Sequence, residues 1–255
     1  MSPDIAQGFN ALILAGSRGG VDPVAGYAGV SHKALIMLDG LTLLARVAQA
    51  LRDAGAGHIA VSVSDEPVRQ AAIALGLTVL DAASGPSRSV RDGIEALGAP
   101  LLVTTADHAL LQPDWITRFL ADLPPHVDVA ALLARRDVIE AAAPGTRRTY
   151  LRFADGAWSG CNLFYFATPR SIAALDLWAQ VEADRKRPWR IVRRLGIGTL
   201  VRYMSGRLTL VDAIAHLGRL AGLDAAAVAT PFGLAAVDVD KPADLDLVRS
   251  LTERA

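Results

Sequence analysis

The chain has 255 residues, of which 52% are hydrophobic and 20% charged, and this composition excludes long disordered regions. Lys and Arg together number 26, as do Asp and Glu, so no overall charge attracts nucleic acid. The single cysteine, Cys161, excludes an internal disulfide and a multi-cysteine zinc site. The sequence therefore predicts a globular protein of a reducing, cytoplasmic environment, in which local clusters of charge would hold any anionic ligand.

The sequence predicts no transmembrane segment. No apolar run approaches the ~20 residues that span a bilayer. The N-terminal residues include Asp4 and lack a basic region ahead of a long apolar run, unlike a secretory signal. Peripheral contact with a membrane, or contact with a second copy of the chain, stays open.

Short apolar runs alternate with amphipathic stretches through the first half of the chain. This alternation is typical of βα units around a mostly parallel sheet and predicts a Rossmann-like three-layer α/β sandwich. The predicted strands are Phe9–Ala15, Ile59–Val63, Leu77–Leu80, Pro100–Thr105 and Val127–Ala134. The predicted helices are Leu41–Ala54, Pro67–Leu75, Ser89–Leu97 and Pro113–Leu123.

The alternation of strands and helices changes after residue 145. Tyr150–Phe153 and Cys161–Phe166, separated by an Asp155-Gly156 turn, predict a β-hairpin. The remaining predicted elements are the helices Pro169–Asp184 and Leu208–Leu220, a last strand Ala235–Val239 and a closing helix from Pro242. The simplest organisation is a single domain over residues 1–255 with a small αβ lobe inserted at about 145–230.

A glycine-rich turn follows the first predicted strand. It comprises Gly16, Ser17, Arg18, Gly19 and Gly20, and with the strand end at Leu14 and Ala15 it forms one candidate binding segment. Such a turn places backbone N–H groups at the carboxyl edge of the sheet, where phosphates bind in open α/β folds. Arg18 and the later Lys33 add the positive charge that a triphosphate requires. The turn is neither a Walker A motif nor a Gly-x-Gly-x-x-Gly fingerprint, and the alternative is a surface loop with unrelated basic residues.

Three aspartates are candidate metal ligands. Asp107 follows a buried strand, where a carboxylate is costly unless it is solvated, paired or bound to a cation. Mg²⁺ takes one or two carboxylates together with phosphate oxygens and water. Asp238 and Asp240 alternate at a predicted strand end and would face a common cation, although Asp240 also suits a cap of the closing helix.

The three segments, in this order, resemble the MobA-like branch of the nucleotidyltransferases with the glycosyltransferase-A fold. The resemblance covers about residues 9–135 and 233–250 and rests on Leu-Ala-Gly…Arg…Lys, the Asp after the central strand and the late Asp-x-Asp-x-Pro-x-Asp-Leu. It implies that Arg18 and Lys33 hold a triphosphate and that Asp107 and Asp238 hold Mg²⁺. The loop between Arg18 and Lys33 is longer than the family's usual spacing.

The resemblance also implies the reaction: a nucleoside monophosphate passes from an NTP, with CTP or GTP favoured, to a phosphorylated small-molecule acceptor, and pyrophosphate leaves. It places Ser87 and Ser89 at the base pocket, where helix capping is the alternative. It places Gly160 and Asn162 towards the acceptor, where a plain hairpin edge is the alternative. The lobe at about 145–230 is accordingly predicted to be the acceptor side.

The only dense basic run, Arg185–Arg194, adds a further hypothesis. Arg190 and Arg193 in this run would bind the acceptor phosphate, or the run is a docking surface or a solvated helix face.

Two other functions compete with this interpretation. A glycosyltransferase of the same fold would use Asp238-Val239-Asp240 as its metal motif, but the glycine-rich turn and Lys33 would then have no clear task. A regulator that binds a nucleotide without turnover would not need the full set of Arg18, Lys33, Asp107 and Asp238.

Overall fold

A computed structural model describes residues 8–17, 20, 22–184 and 196–253 of the chain. The strands in this part are β1 (Asn10–Ala15), β2 (Met37–Leu38), β3 (Leu41–Thr42), β4 (Ile59–Val63), β5 (Thr78–Asp81), β6 (Leu101–Thr105), β7 (Val129–Arg135), β8 (Leu151–Phe153), β9 (Gly156–Phe166) and β10 (Ala225–Thr230). The helices are α1 (Pro23–Ala28), α2 (Leu43–Asp53), α3 (Glu66–Ala74), α4 (Pro86–Leu97), α5 (Pro113–Ala121), α6 (Arg136–Ala142), α7 (Ile172–Asp184), α8 (Ile197–Met204), α9 (Leu210–Leu220) and α10 (Pro242–Thr252). Short 3-10 helices span Lys33–Leu35, Pro169–Ser171 and Gly233–Ala236.

The main sheet has the strand order β10-β7-β9-β6-β1-β4-β5, and β8 pairs with β9. Its strands run in parallel except for β9, which is antiparallel to its neighbours β6, β7 and β8. The parallel strands are apolar because both faces of the sheet are covered. The predicted α/β sandwich with a mostly parallel sheet is confirmed.

Successive residues of β1 show how the two faces are covered. Ala11 and Ile13 belong to the larger hydrophobic core, whereas Leu12 belongs to a second cluster on the opposite face with Val90 of α4. Gly93 allows α4 to approach the sheet, because a Cβ there would lie 2.6 Å from Leu12 Cδ2. Because side chains pack on both faces of the sheet, the loops that leave its carboxyl edge have fixed positions.

The described strands of the segment 145–230 belong to the main sheet. These strands are β8, β9 and β10, and β9 lies between β6 and β7. The predicted hairpin is present as β8 and β9, with Asp155 and Gly156 at its turn. Whether this segment serves as the acceptor side stays a prediction.

The predicted last strand is wrong. Ala235, Val237 and Val239 are buried, but the chain forms a 3-10 helix at Gly233–Ala236 and then an extended segment outside any strand. An apolar run indicates burial and does not by itself supply a neighbouring strand. The alanine-rich β10 was not predicted, because alanine has a low strand propensity.

None of the described helices is long and apolar enough to cross a membrane.

Candidate active site

The predicted site lies at the carboxyl ends of the neighbouring strands β1 and β6. Leu14 of β1 pairs with Thr105 of β6, and the N–H of Ala106 donates to the carbonyl of Leu14 over 3.0 Å. The glycine-rich turn after β1 and Asp107 after β6 therefore leave the sheet side by side. This edge is where open α/β folds bind their ligands.

Asp107 is buried and accepts hydrogen bonds from several residues. Its Oδ1 accepts a hydrogen bond from the Thr105 hydroxyl, and its Oδ2 accepts from Lys33 Nζ. Its backbone carbonyl accepts from the N–H of Val239 over 3.1 Å. These contacts bring the segment after β6, the start of the 3-10 helix at Lys33 and the segment before α10 to one point.

Lys33 lies between two carboxylates, because its Nζ also donates to Asp240 Oδ1 over 3.0 Å. Burial by itself would lower the pKa of Lys33, but Asp107 and Asp240 outweigh burial and raise this pKa above its ordinary value. Burial would raise the pKa of Asp240, and the charge of Lys33 overcomes it and lowers this pKa. Lys33 is therefore a fixed cation at neutral pH.

Asp240 does not cap the closing helix. The Asp244 carboxylate performs that task, since its Oδ2 accepts from the N–H groups of Asp240 and Lys241 over 3.2 and 2.9 Å. The side chain of Asp240 is 57% exposed and free to turn towards a ligand at the sheet edge. The alternative role weighed for Asp240 thus belongs to Asp244.

Asp238 faces a different set of partners from Asp240. Its Oδ1 accepts from Arg148 Nη1, its Oδ2 accepts from Asn162 Nδ2 over 2.7 Å, and its carbonyl accepts from Arg148 Nη2 over 2.8 Å. Sequence reasoning missed Arg148. No local signal could have found it, because the arginine lies 90 residues from Asp238 and nothing in the sequence showed which acid it would meet.

The glycine-rich turn is described in part. Gly16 packs closely against the loop after β5, since a Cβ there would lie 3.3 Å from the Cβ of Ala82. The N–H of Ser17 donates to Ser64 Oγ over 3.4 Å, and Gly20 has a φ of 86°. Arg18 and Gly19 lie outside the described residues. The long spacing before Lys33 accommodates α1, which Asp22 caps.

Ser87 and Ser89 lie in the first turns of α4, whose N-cap is Gly85. Neither serine is the cap. Ser89 Oγ accepts from the N–H of Ala83 over 3.0 Å and so fixes the loop after β5. Ser87 lines a groove of about 740 Å³ between α4 and α7 that also contains Arg88 and Leu175. The base-pocket role of the two serines stays a prediction.

Gly160 and Asn162 lie on the half of β9 that extends beyond the pairing with β6. Gly160 pairs with Leu133, and the register of β7 and β9 shifts between Ala131 and Leu133. Asn162 has a φ of 49° at this irregularity, and its amide reaches Asp238. Asn162 therefore joins the sheet-edge group, whereas Arg190 and Arg193 lie outside the described residues.

The carboxylate oxygens fit a hard divalent cation. Asp107 and Asp240 converge on the Lys33 ammonium, which shows that this part of the site gathers carboxylates around a positive charge. Among the described residues, no group of three or more His, Cys, Asp or Glu side chains is arranged to hold a metal. An Mg²⁺ ion here would depend on one or two of these aspartates together with phosphate oxygens and water.

His108 and Cys161 are buried groups beside the site. Burial lowers the pKa of His108 to about 4, against the opposing charge of Asp107, and the ring contacts the Thr104 hydroxyl at 3.2 Å. Burial raises the pKa of the Cys161 thiol to about 12. Both are therefore neutral at pH 7, which suits packing.

Comparisons with known proteins match residues 11–196 to the model of the MobA-like NTP transferase domain. A hypothetical transferase from Thermus thermophilus is similar in structure, with 30% identity, a TM-score of 0.79 and coverage of 94% of this chain and 100% of that chain. No curated protein gives a significant match to the sequence.

Two more distant structures are similar in fold. CTP:phosphocholine cytidylyltransferase from Streptococcus pneumoniae has 14% identity and a TM-score of 0.58, with coverage of 95% of this chain and 98% of that chain. The 2-C-methyl-D-erythritol 4-phosphate cytidylyltransferase from Thermus thermophilus has 18% identity and a TM-score of 0.52, with coverage of 97% of this chain and 100% of that chain.

Proposed function

The chain belongs to the MobA-like NTP transferase family, and from this premise we propose that it is an Mg²⁺-dependent nucleotidyltransferase. It transfers NMP from an NTP, with CTP or GTP favoured, to a phosphorylated small-molecule acceptor and releases pyrophosphate. The observation that carries the proposal is the contact of Lys33 with Asp107 and Asp240 at the carboxyl edge of the sheet, beside the glycine-rich turn.

The acceptor supplies its own nucleophile. A phosphate monoester has its second pKa near ~6, so its oxygen is already largely anionic at pH 7 and needs no general base. The acceptor oxygen forms a bond to the α-phosphorus, the bond from this phosphorus to the bridging oxygen breaks, and pyrophosphate takes the electron pair. Lys33, as a fixed cation, stabilises the negative charge that develops on the phosphoryl oxygens.

One or two of Asp107, Asp238 and Asp240 would hold Mg²⁺, together with phosphate oxygens and water. The ion, when bound, neutralises phosphate charge and orients the triphosphate. Lys33 would contact phosphate oxygens in place of Asp240, whose side chain is 57% exposed. The backbone N–H groups of the segment from Leu14 to Gly20, with Arg18, bind the remaining phosphate oxygens.

CTP and a phosphorylated acceptor have support from two fold neighbours. One is named for CTP and phosphocholine, and the other is a cytidylyltransferase named for a sugar-alcohol phosphate. In this chain, Ser87 and Ser89 would line the base pocket, and Gly160 and Asn162 would face the acceptor. Arg190 and Arg193 would add the cationic site that a second phosphate group needs.

The proposal is tested by supplying each of the four NTPs with Mg²⁺ and a panel of phosphorylated acceptors, and by measuring pyrophosphate. We expect release that requires both substrates, is abolished by EDTA and is fastest with CTP or GTP. Asp107→Asn serves as the matched inactive variant, since it keeps the shape and removes the charge. Transfer of a sugar from a nucleotide sugar without pyrophosphate release would favour a glycosyltransferase, and nucleotide binding without turnover would favour a regulator.

A further inference from the structure

The buried arginine Arg148 lies in the segment that joins α6 to β8. Residues 146–150 alternate between half-buried and exposed positions, and Thr146, Arg148 and Tyr150 are the half-buried ones. The Arg136 guanidinium lies 5.4 Å from the centre of the Tyr150 ring and holds the end of the segment against the domain. Arg148 therefore enters the site from an anchored segment.

The contacts of Arg148 all concern the segment that carries Asp240. Its guanidinium binds both the carboxylate and the carbonyl of Asp238, and its Nη2 lies 3.8 Å from Asp244 Oδ1. Asp244 in turn accepts from the N–H groups of Asp240 and Lys241. Arg148 thus contacts both Asp238, the first acid of this segment, and Asp244, whose carboxylate fixes the backbone of Asp240 and Lys241.

The charges of the site make Arg148 necessary. Four carboxylates lie in this region, on Asp107, Asp238, Asp240 and Asp244, and Lys33 contacts the buried Asp107 and the exposed Asp240. Arg148, whose side chain is 9% exposed, contacts the other two. Removal of one partner from a buried ion pair leaves an uncompensated charge, which relaxes by moving or by taking up a proton.

We propose that Arg148 is a positioning residue for the reaction: through Asp238 and Asp244 it sets the segment that places Asp240 beside Lys33 and Asp107. This inference rests on the proposed function, because the group it positions is the one assigned to the metal and the triphosphate. Arg148 does not itself bind the nucleotide, since its Nη atoms are committed to Asp238. Its guanidinium acts as the outer support of carboxylates that serve as ligands.

The experiment compares Arg148→Met, Arg148→Lys, Asp238→Asn and the double variant Arg148→Met with Asp238→Asn. We measure kcat and the KM for CTP, and independently the Mn²⁺ affinity in the presence of a non-hydrolysable CTP analogue by electron paramagnetic resonance. Loss of an outer support typically lowers metal affinity or activity by about 10- to 100-fold. We expect a loss of that size in kcat and in Mn²⁺ affinity for Arg148→Met, with the KM for CTP changed less than about threefold.

Further variants separate positioning from folding. Arg148→Lys keeps the charge but not the fork, so we expect an intermediate loss. The double variant should be no slower than the slower single variant, because both changes act on one contact. Arg202→Met removes an exposed arginine that pairs with Asp212, and Leu210→Ala destabilises a core cluster away from the site. Both controls should keep normal kinetics below their unfolding temperatures.

Each outcome decides the inference. Arg148→Met could lower the unfolding temperature and yet leave kinetics and Mn²⁺ affinity like those of Leu210→Ala. The arginine would then be purely structural, and the proposal would be overturned. Additive losses of activity in the double variant would overturn it as well. A wild type that binds Mn²⁺ with the analogue but releases no pyrophosphate would contradict the proposed function. The Mn²⁺ affinities of the single and double variants would still test the role of Arg148. A wild type that binds Mn²⁺ with neither the CTP analogue nor the corresponding GTP analogue would overturn both.

Discussion

Two cation–carboxylate groups lie on either side of Val239, and they differ in exposure. The Lys33 side chain is 23% exposed, and its partners Asp240 and Asp107 are 57% and 9% exposed. The side chains of Arg148 and Asp238 are 9% and 17% exposed, so of these pairs only that of Lys33 with Asp240 is open to water. A pair that water reaches exchanges its partners at a low cost, whereas separation of a buried pair leaves a charge without solvent. The difference supports the two proposals made above, that Lys33 contacts the substrate and that Arg148 positions the residues around it.

The strongest test of this comparison is Lys33→Ala. If Lys33 stabilises charge in the transition state, kcat should fall by about 100-fold or more, since loss of one such group typically has that effect. The KM for the NTP should change much less. Steady-state pyrophosphate release measures both quantities, and loss of binding with kcat intact would reduce Lys33 to an anchoring residue.

A second test compares the stability of the two groups. Arg148→Met should lower the free energy of unfolding by about 3 kcal/mol, because it leaves Asp238 buried without its cation. Asp240→Asn should lower it less, since the Asp240 side chain is 57% exposed and Lys33 keeps its contact with Asp107. Urea denaturation measures the free energies of unfolding, which can be compared if their dependence on urea concentration is the same for the wild type and both variants. Equal losses would show that the exposure of the two pairs does not separate their roles.

A third test uses pH and the buried His108. Burial lowers the pKa of His108 to about 4, below its unfolded value of about 6.5, so protons bind the unfolded chain more tightly. The fold is therefore most stable above pH ~6.5 and loses about 2 kcal/mol through this group by pH ~5. His108→Asn should flatten the acid side of a plot of unfolding temperature against pH, and the exposed His58→Gln should not.

The smallest expected effect concerns the basic run. Replacement of both Arg190 and Arg193 by alanine should raise the acceptor KM by roughly tenfold, in a salt-sensitive way, with the NTP KM nearly unchanged. Such a result would add an acceptor-side cationic site to the two groups compared above. A change in oligomeric state or in vesicle binding, with unchanged kinetics, would instead assign the run to docking.

The strands and the first contacts of the site follow from local patterns in the sequence. β1, β4 and β6 are continuous apolar runs, which are typical of strands buried on both faces. In parallel strands the carboxyl ends meet at one edge, so the sequence also predicts that the glycine-rich turn and Asp107 are neighbours, whereas the family resemblance placed Lys33 with them. The order of elements in the first half is accordingly confirmed.

The tertiary structure alone decided how the charges of the site are divided. Arg148 and Asp238 are 90 residues apart in the chain, and Lys33 and Asp240 are 207 apart, so no local pattern relates them. The alternation of Asp238 and Asp240 predicted a common partner on a strand. The chain instead forms an extended segment without a neighbouring strand, and the two acids meet different cations because the packing of the segment 146–150 and of α10 sets the direction of each side chain.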